Sequence, residues 1–187
     1  MDKKKGQIFI IAGPSGAGKT EISKKILENK SLNIKKVITC TTRPIRDGET
    51  NGKDYFFLSE EEFLENIKNN KMFEFAEVYG NFYGSRNQDV EYLLDCGVNV
   101  LFIIDVQGAY NMKKIDSNCK VIFIKAESIE ELRTRLIGRN TDSEDVIQKR
   151  INTAIQEMEL ENKFDYSILN PNGRIGQAIE EIEKIIS

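Results

Sequence analysis

The chain has no histidine at any of its 187 positions. No imidazole can therefore serve as a general base, which excludes Ser-His triads and His-ligated zinc. Cysteine is scarce: Cys40, Cys96 and Cys119 form no C-x-x-C pair and are odd in number. That pattern excludes a thiolate metal cluster and reads as reduced thiols of a cytoplasmic protein. No run approaches the roughly 18 apolar residues of a membrane-spanning helix. The N-terminal Met1-Asp2-Lys3-Lys4-Lys5 leads only into a short apolar segment, so the expectation is a soluble, non-secreted protein with no membrane partner. Positive charge is not in excess either. Lys and Arg number 27 against 30 Asp and Glu, a net charge of −3, so nucleic acid is not an expected partner and any basic site is local. Repeats, low-complexity segments and an interdomain linker are absent from the sequence, whose length suits one α/β domain with a substantial core.

What is present begins with Gly13-Pro14-Ser15-Gly16-Ala17-Gly18-Lys19-Thr20, directly after the apolar run Ile8-Phe9-Ile10-Ile11-Ala12. The octapeptide fits G-x-x-x-x-G-K-[ST] at every fixed position, with a strand pattern before it and a helical pattern from Glu21 to Asn29 after it. Its glycines let successive N–H groups turn inward onto phosphate oxygens, and the helix adds its positive N-terminal end. Lys19 is then expected at the β- and γ-phosphates and Thr20 at a Mg²⁺ ion.

Downstream, strands and helices alternate. Lys36 to Cys40 reads as a short strand, Thr41 to Asp54 as an irregular polar loop, and Ser59-Glu60-Glu61-Glu62 as a capping box opening a helix to about Asn69. Met72 to Tyr79 reads as an edge strand followed by a Gly80-to-Gly84 turn, and Asp89 to Cys96 as a helix. Val98 to Asp105 has the continuous apolar character of a strand buried on both faces. Val121 to Lys125, a second capping box at Ser128-Ile129-Glu130-Glu131, a helix from Glu144 to Asn162, a strand from Tyr166 to Leu169 and a closing helix from Gly176 to Ile186 complete the order. Such alternation with short connections implies a doubly wound parallel sheet with helices on both faces.

Ligands of such sheets sit beyond the carboxyl ends of the strands, and Asp105 ends its strand there. A carboxylate in that position suits Mg²⁺ opposite Thr20, and it is equally a helix N-cap for the segment from Gln107 to Lys114. Asp105-Val106-Gln107-Gly108 also reads as D-x-x-G and Asn162-Lys163-Phe164-Asp165 as N-K-x-D, the vocabulary of GTPases. The order is wrong for that reading, because a charge-rich helical pattern precedes the second motif and the strand follows it. Arg43 and Arg46, beside the hydroxyls of Thr39, Thr41 and Thr42, form a candidate second anion site, since guanidinium forks take phosphate oxygens in pairs. The segment beyond adds Tyr55, Glu74, Tyr83 and Ser85.

With these residues in place the chain closely resembles guanylate kinases. The pieces that carry the resemblance are GPSGAGKT, TTRPIRDGETNGKDYFF, FEFAEVYGNFYGS, DVQGA, RLIGRN, Gln148-Lys149-Arg150 and Ile168-Leu169-Asn170, in the family's order over nearly the whole chain. The resemblance implies transfer of the γ-phosphate of ATP to GMP with Mg²⁺. By position it assigns the ATP phosphates to residues 13–20. The GMP phosphate falls to Arg43, Arg46, Tyr55 and Tyr83, and the guanine edge to Thr39, Glu74 and Ser85, with Gly84 and Asp105 also on the GMP side. Arg135, Arg139 and Arg150 fall around ATP and the transferring group, and Asn170 at adenine. It further implies a core of 1–36, 89–137 and 147–187, a GMP-binding subdomain of about 37–88 and a lid of about 138–146, in a monomer or homodimer.

Three positions depart from the family pattern. Thr39 stands where Ser is usual, Ile103 replaces one of two acids near Asp105, and Asn140 replaces a lid glycine. Two other readings remain at this point: a kinase of another small phosphorylated substrate, and a guanylate-kinase-like interaction module without activity.

Overall fold

Strand β1 (Ile8–Ala12) is buried at all five positions, so it must be covered on both faces. Its alternation sorts the core: Phe9 and Ile11 join one apolar cluster with Leu101, Ile122, Ile124 and Ile168, while Ile8 and Ile10 point the other way, as the two-residue period of a strand requires. The first cluster is completed by Ile22 and Ile26 of α1 (Lys19–Glu28), Leu132 and Leu136 of α5 (Ile129–Ile137), Ile147 and Ile151 of α6 (Glu144–Met158), and Ala178 and Ile182 of α7 (Ile175–Ile186). α4 (Val106–Ile115) turns Val106, Ala109 and Met112 inward outside that cluster. The result is a parallel sheet flanked by helices.

These are features of a computed structural model that describes residues 4–78, 80–138 and 143–187. The chain divides into two compact units, Gln7–Ile34 with Leu101–Ser187, and Lys35–Val100 with the residues preceding Gln7. A five-stranded sheet runs in the order β2-β7-β1-β8-β9, with β2 at Ile34–Lys36, β7 at Asn99–Ile103, β8 at Lys120–Lys125 and β9 at Tyr166–Leu169. β2 and β7 straddle the boundary between the units. β8 lies parallel to β1 and to β9, with Ile11 opposite Ile122 and Lys125 opposite Leu169. Successive strands fall on opposite sides of β1, so its carboxyl end is the switch point at which open α/β sheets bind ligands.

The smaller unit holds a four-stranded sheet ordered β4-β3-β6-β5: β3 (Cys40–Thr41), β4 (Phe56–Phe57), β5 (Met72–Val78) and β6 (Asn81–Arg86). The strand predicted at 36–40 is split, because the ladder partners change: Lys36 ends β2 in the large sheet, and Cys40 pairs with Gly84 and Phe56 in the small one. The turn predicted over Gly80 to Gly84 contracts to Gly80, at φ 73°, and Asn81 onward is strand. Gly84 is there for close approach: a Cβ would lie 2.5 Å from the Glu74 carbonyl oxygen. α2 (Glu60–Lys68) opens with both arms of its capping box, the Ser59 hydroxyl accepting from the Glu62 N–H and the Glu62 carboxylate from the Ser59 N–H. Its buried Phe63 stacks on Phe82 at 5.4 Å. α3 (Asn87–Asp95) follows β6.

The helix expected from Glu144 to Asn162 stops at Met158, and Glu161–Lys163 is a separate 3₁₀ turn. Among the described residues no helix is long and apolar enough to cross a membrane.

Candidate nucleotide and phosphate sites

The loop after β1 is held tightly. Gly13, at φ 142°, lies so close to β8 that a Cβ would come within 2.2 Å of the Ile124 carbonyl oxygen. Gly18, at φ 96°, is the N-cap of α1, so the loop delivers its chain straight into a helix start. Lys19 folds back over the loop, its Nζ donating to the carbonyl oxygens of Gly13 at 2.5 Å and Pro14 at 3.0 Å. Arg150 of α6 reaches the same loop, with Nη1 3.5 Å from the Ser15 hydroxyl. Thr20 is exposed.

Arg135 is held from several sides. It donates to the Glu131 carboxylate at 2.5 Å and to the Asn170 carbonyl oxygen at 2.8 Å, and lies 3.4 Å from the carbonyl oxygens of Gly16 and Ala17. The buried Asn170 amide donates to the Ala17 carbonyl oxygen at 2.8 Å. Asp105 caps α4, one oxygen accepting from the Gly108 N–H at 2.6 Å, and the residue is exposed. Arg139 lies outside the described residues, as do 140–142 of the predicted lid.

Sequence reasoning passed over Glu157. Burial raises its carboxyl above the usual range, against the pull of Lys19 and with the push of Asp105, so the acid sits within electrostatic reach of both. The available signal was helical: Glu157 follows Arg150 by seven residues, two turns of the same helix, and so shares its face. The rival GTPase motif is accounted for otherwise. Burial pushes Asp165 up, but the Val121 N–H at 2.8 Å and the Lys113 ammonium at 2.9 Å outweigh it and hold the carboxyl below its ordinary value. Asp165 ties α4 to β8 and has no pair of acceptors left for a base.

In the smaller unit, strand register gathers the other predicted residues. Cys40 lies opposite Gly84, and Glu74 opposite Ser85; extending the first register by one residue sets Thr39 opposite Ser85. Thr39, Ser85 and Glu74 thus form a row across β3, β6 and β5. Tyr83 and Tyr55 fall on the same side by the two-residue period, with ring centroids 6.2 Å apart. Phe82, Gly84 and Cys40 take the opposite side, where Phe82 meets Phe63 of α2. Burial pushes the Cys40 thiol up to about 11, which makes it a packing residue and not a reactive nucleophile.

The Arg43 guanidinium lies over the rings of Tyr55 and Phe57, 5.6 and 5.7 Å from their centroids. It donates to both Glu49 oxygens, at 2.7 and 3.0 Å, and to the Pro44 carbonyl oxygen at 2.6 Å. The Arg46 N–H donates to the same carboxylate at 2.8 Å, while the Arg46 side chain is exposed. Arg43, followed by that N–H, holds the Glu49 carboxyl well below its ordinary value. Glu49 was not singled out from the sequence. Its signal is the turn itself, closed by the Glu49 N–H onto the Arg46 carbonyl oxygen at 3.1 Å.

Comparison with known proteins agrees with this arrangement. The guanylate kinase family matches residues 5–187. A guanylate kinase of Fusobacterium nucleatum is 43% identical over 181 residues, covering 97% of this chain and 96% of the relative. One of Wolbachia pipientis wMel is 43% identical over 186 residues, covering 99% and 91%. The crystal structure of guanylate kinase from Anaplasma phagocytophilum superposes with a TM-score of 0.73 at 36% identity, covering all of this chain and 87% of that one. A strand leading into a glycine-rich loop and a helix start, a sheet that gathers Arg43, Tyr55 and Tyr83, and relatives matched over nearly the whole chain converge on one conclusion: the chain belongs to the guanylate kinase family of enzymes.

Proposed function

We propose that the protein transfers the γ-phosphate of ATP to GMP, giving ADP and GDP. The observation that carries this reading is the sorting of the small sheet. One side collects a phosphate-type cluster of Arg43, Tyr55 and Tyr83 and, beside it, a row of polar base-reading groups in Thr39, Ser85 and Glu74, while the other side packs on α2. A sheet face carrying both kinds of group suits a nucleoside monophosphate, and a P-loop suits the donor's phosphates. In this reading residues 37–88 are the GMP-binding subdomain, 138–146 the lid, and the remainder the core.

No general base is needed. The second pKa of a phosphomonoester is about 6, so the attacking oxygen of GMP is already largely unprotonated at pH 7. That oxygen forms the new bond to the γ-phosphorus as the bond to the β-phosphate bridging oxygen breaks, with the electron pair leaving on ADP. Lys19 moves from the Gly13 and Pro14 carbonyls onto the phosphates, Arg150 and Arg139 neutralise charge on the transferring group, and closure excludes water. For Mg²⁺ the hydroxyl of Thr20 and the outer oxygen of Asp105 are hard oxygen donors of the right kind. An ion held there would take its other ligands from the nucleotide and water. Bound there, Mg²⁺ supplies charge neutralisation at the β- and γ-phosphates. The intact Lys19-Thr20 pair and the arginines around the loop speak against a module without activity.

A coupled assay with ATP and GMP, AMP, CMP or UMP in turn tests the assignment. GMP is the expected acceptor; turnover of another monophosphate at an equal rate would overturn it.

A further inference from the structure

We propose that Asn170 is a positioning residue for the P-loop, set by Arg135: it fixes the Ala17 carbonyl pointing away from the phosphates, so that the loop's N–H groups face them before any nucleotide arrives. This rests on the reading of residues 13–20 as the donor's phosphate cradle.

The side chain of Asn170 is a polar group in the core, 4% exposed, and a buried amide is kept only where its hydrogen bonds are made. Three of its groups have named partners. Its backbone N–H donates to the Lys125 carbonyl at 2.8 Å, pinning the residue where β9 leaves β8. Its carbonyl accepts from Arg135 at 2.8 Å, and Arg135 is itself held by Glu131 at 2.5 Å. Its side-chain N–H donates to Ala17 at 2.8 Å, across 153 residues of sequence. The fit is close: a Cβ added to Gly18 would lie 2.3 Å from that same amide nitrogen. Asn170 thus fills the space behind the loop at the residue where it turns into α1. A cradle of N–H groups works only while its carbonyls point outward, and the Ala17 carbonyl is held that way by Asn170.

The assignment departs from the adenine contact that the family resemblance implies for this position, and the two are separable by a ligand that has no base. In the full-length protein, the dissociation constants of tripolyphosphate, ATP and GMP are measured by calorimetry for wild type, Asn170→Asp and Asn170→Ser. The Asp variant keeps the shape but turns an acceptor onto the Ala17 carbonyl; the Ser variant removes the reach without adding charge and serves if the Asp variant melts early. The expected result is that tripolyphosphate and ATP weaken by the same factor, about tenfold, as for a lost hydrogen bond to a buried acceptor that keeps only the longer 3.4 Å contact from Arg135, while GMP binding is unchanged. Weakening of ATP alone, with tripolyphosphate unaffected, overturns the proposal in favour of a base contact, and no change in either overturns it outright. Lys19→Ala provides the separate control. If that variant binds tripolyphosphate as well as wild type does, the phosphate-cradle reading itself fails, whatever Asn170 does.

Discussion

Replacing Glu74 by Ala tests why the acceptor is expected to be GMP and not AMP. Guanine offers N1–H and the 2-amino group side by side, and one carboxylate can accept from both. Glu74 is half-buried, and its register partner Ser85 is 1% exposed, so the row is partly withdrawn from water. Hydrogen bonds to a charged group contribute roughly 1.5–3 kcal/mol each. The partial exposure of Glu74 argues for the low end, so two bonds amount to about 3 kcal/mol, or roughly 150-fold in kcat/KM at about 1.4 kcal/mol per factor of ten. AMP presents an N1 acceptor at the same edge, which faces the carboxylate unfavourably; removing the acid therefore costs AMP nothing and relieves a repulsion. The ratio of kcat/KM for GMP to that for AMP is expected to fall by about two orders of magnitude. The assay couples ADP formation to a spectrophotometric readout with each monophosphate varied at saturating ATP, with a melting curve to show that the variant is folded. A ratio within about threefold of wild type would refute the reasoning and move guanine recognition off this row.

Arg150→Ala is expected to lower kcat far more than it raises KM for GMP, because a cation aimed at the transferring group acts mainly in the transition state; steady-state kinetics with both substrates varied would show a KM-only change if Arg150 merely binds. Asp105→Asn is expected to abolish most Mg²⁺-dependent activity, and Ile103→Asp to lower the Mg²⁺ concentration for half-maximal rate, since the second acid is missing from this strand end; a Mg²⁺ titration of rate checks both. Asp165 has a folded-state carboxyl held below its ordinary value. Its stabilisation is therefore fully present above the usual carboxylate range and is lost as pH falls through the lowered folded value. Asp165→Asn is expected to reduce the melting temperature at pH 7, with the difference shrinking toward pH 3.

What the sequence makes legible follows from how local the cause is. The P-loop, the apolar strands and the cap at Ser59 are written in adjacent residues, and they appear as read. At Ser128 only half of the predicted capping box forms: the hydroxyl accepts from the Glu131 N–H, but the Glu131 carboxylate accepts from the Glu127 N–H and from Arg135. A competing partner one turn along the helix redirects it. Val37 and Ile38 look like strand residues, and nothing nearby says that the ladder partners change between Lys36 and Cys40. Glu49 and Glu157 were missed for a related reason. Acids are plentiful in this chain, and what distinguishes these two is whom they meet: Arg43 through a turn, and Lys19 through the packing of α6. Asn170 was noticed, but its partner Ala17 belongs to the other end of the chain.

The same partners bear on how selective the proposed sites would be. Lys19 rests on two loop carbonyls and Arg43 on a carboxylate and a carbonyl, so under the proposed function a phosphate would displace or share an existing acceptor. An exchange of this kind is driven by the difference in charge between the acceptors. A phosphate dianion outbids a backbone carbonyl for Lys19 and competes with Glu49 for Arg43, whereas a hydroxyl does neither. Under the proposed function, guanosine, whose base would meet the Thr39–Ser85–Glu74 row as well as that of GMP, is therefore expected to gain nothing from Arg43. Base recognition and phosphate recognition are thus expected to be conditions that must both be met for GMP, the Glu49 partner of Arg43 making the second one strict, and a direct check is that guanosine binds far more weakly than GMP by calorimetry.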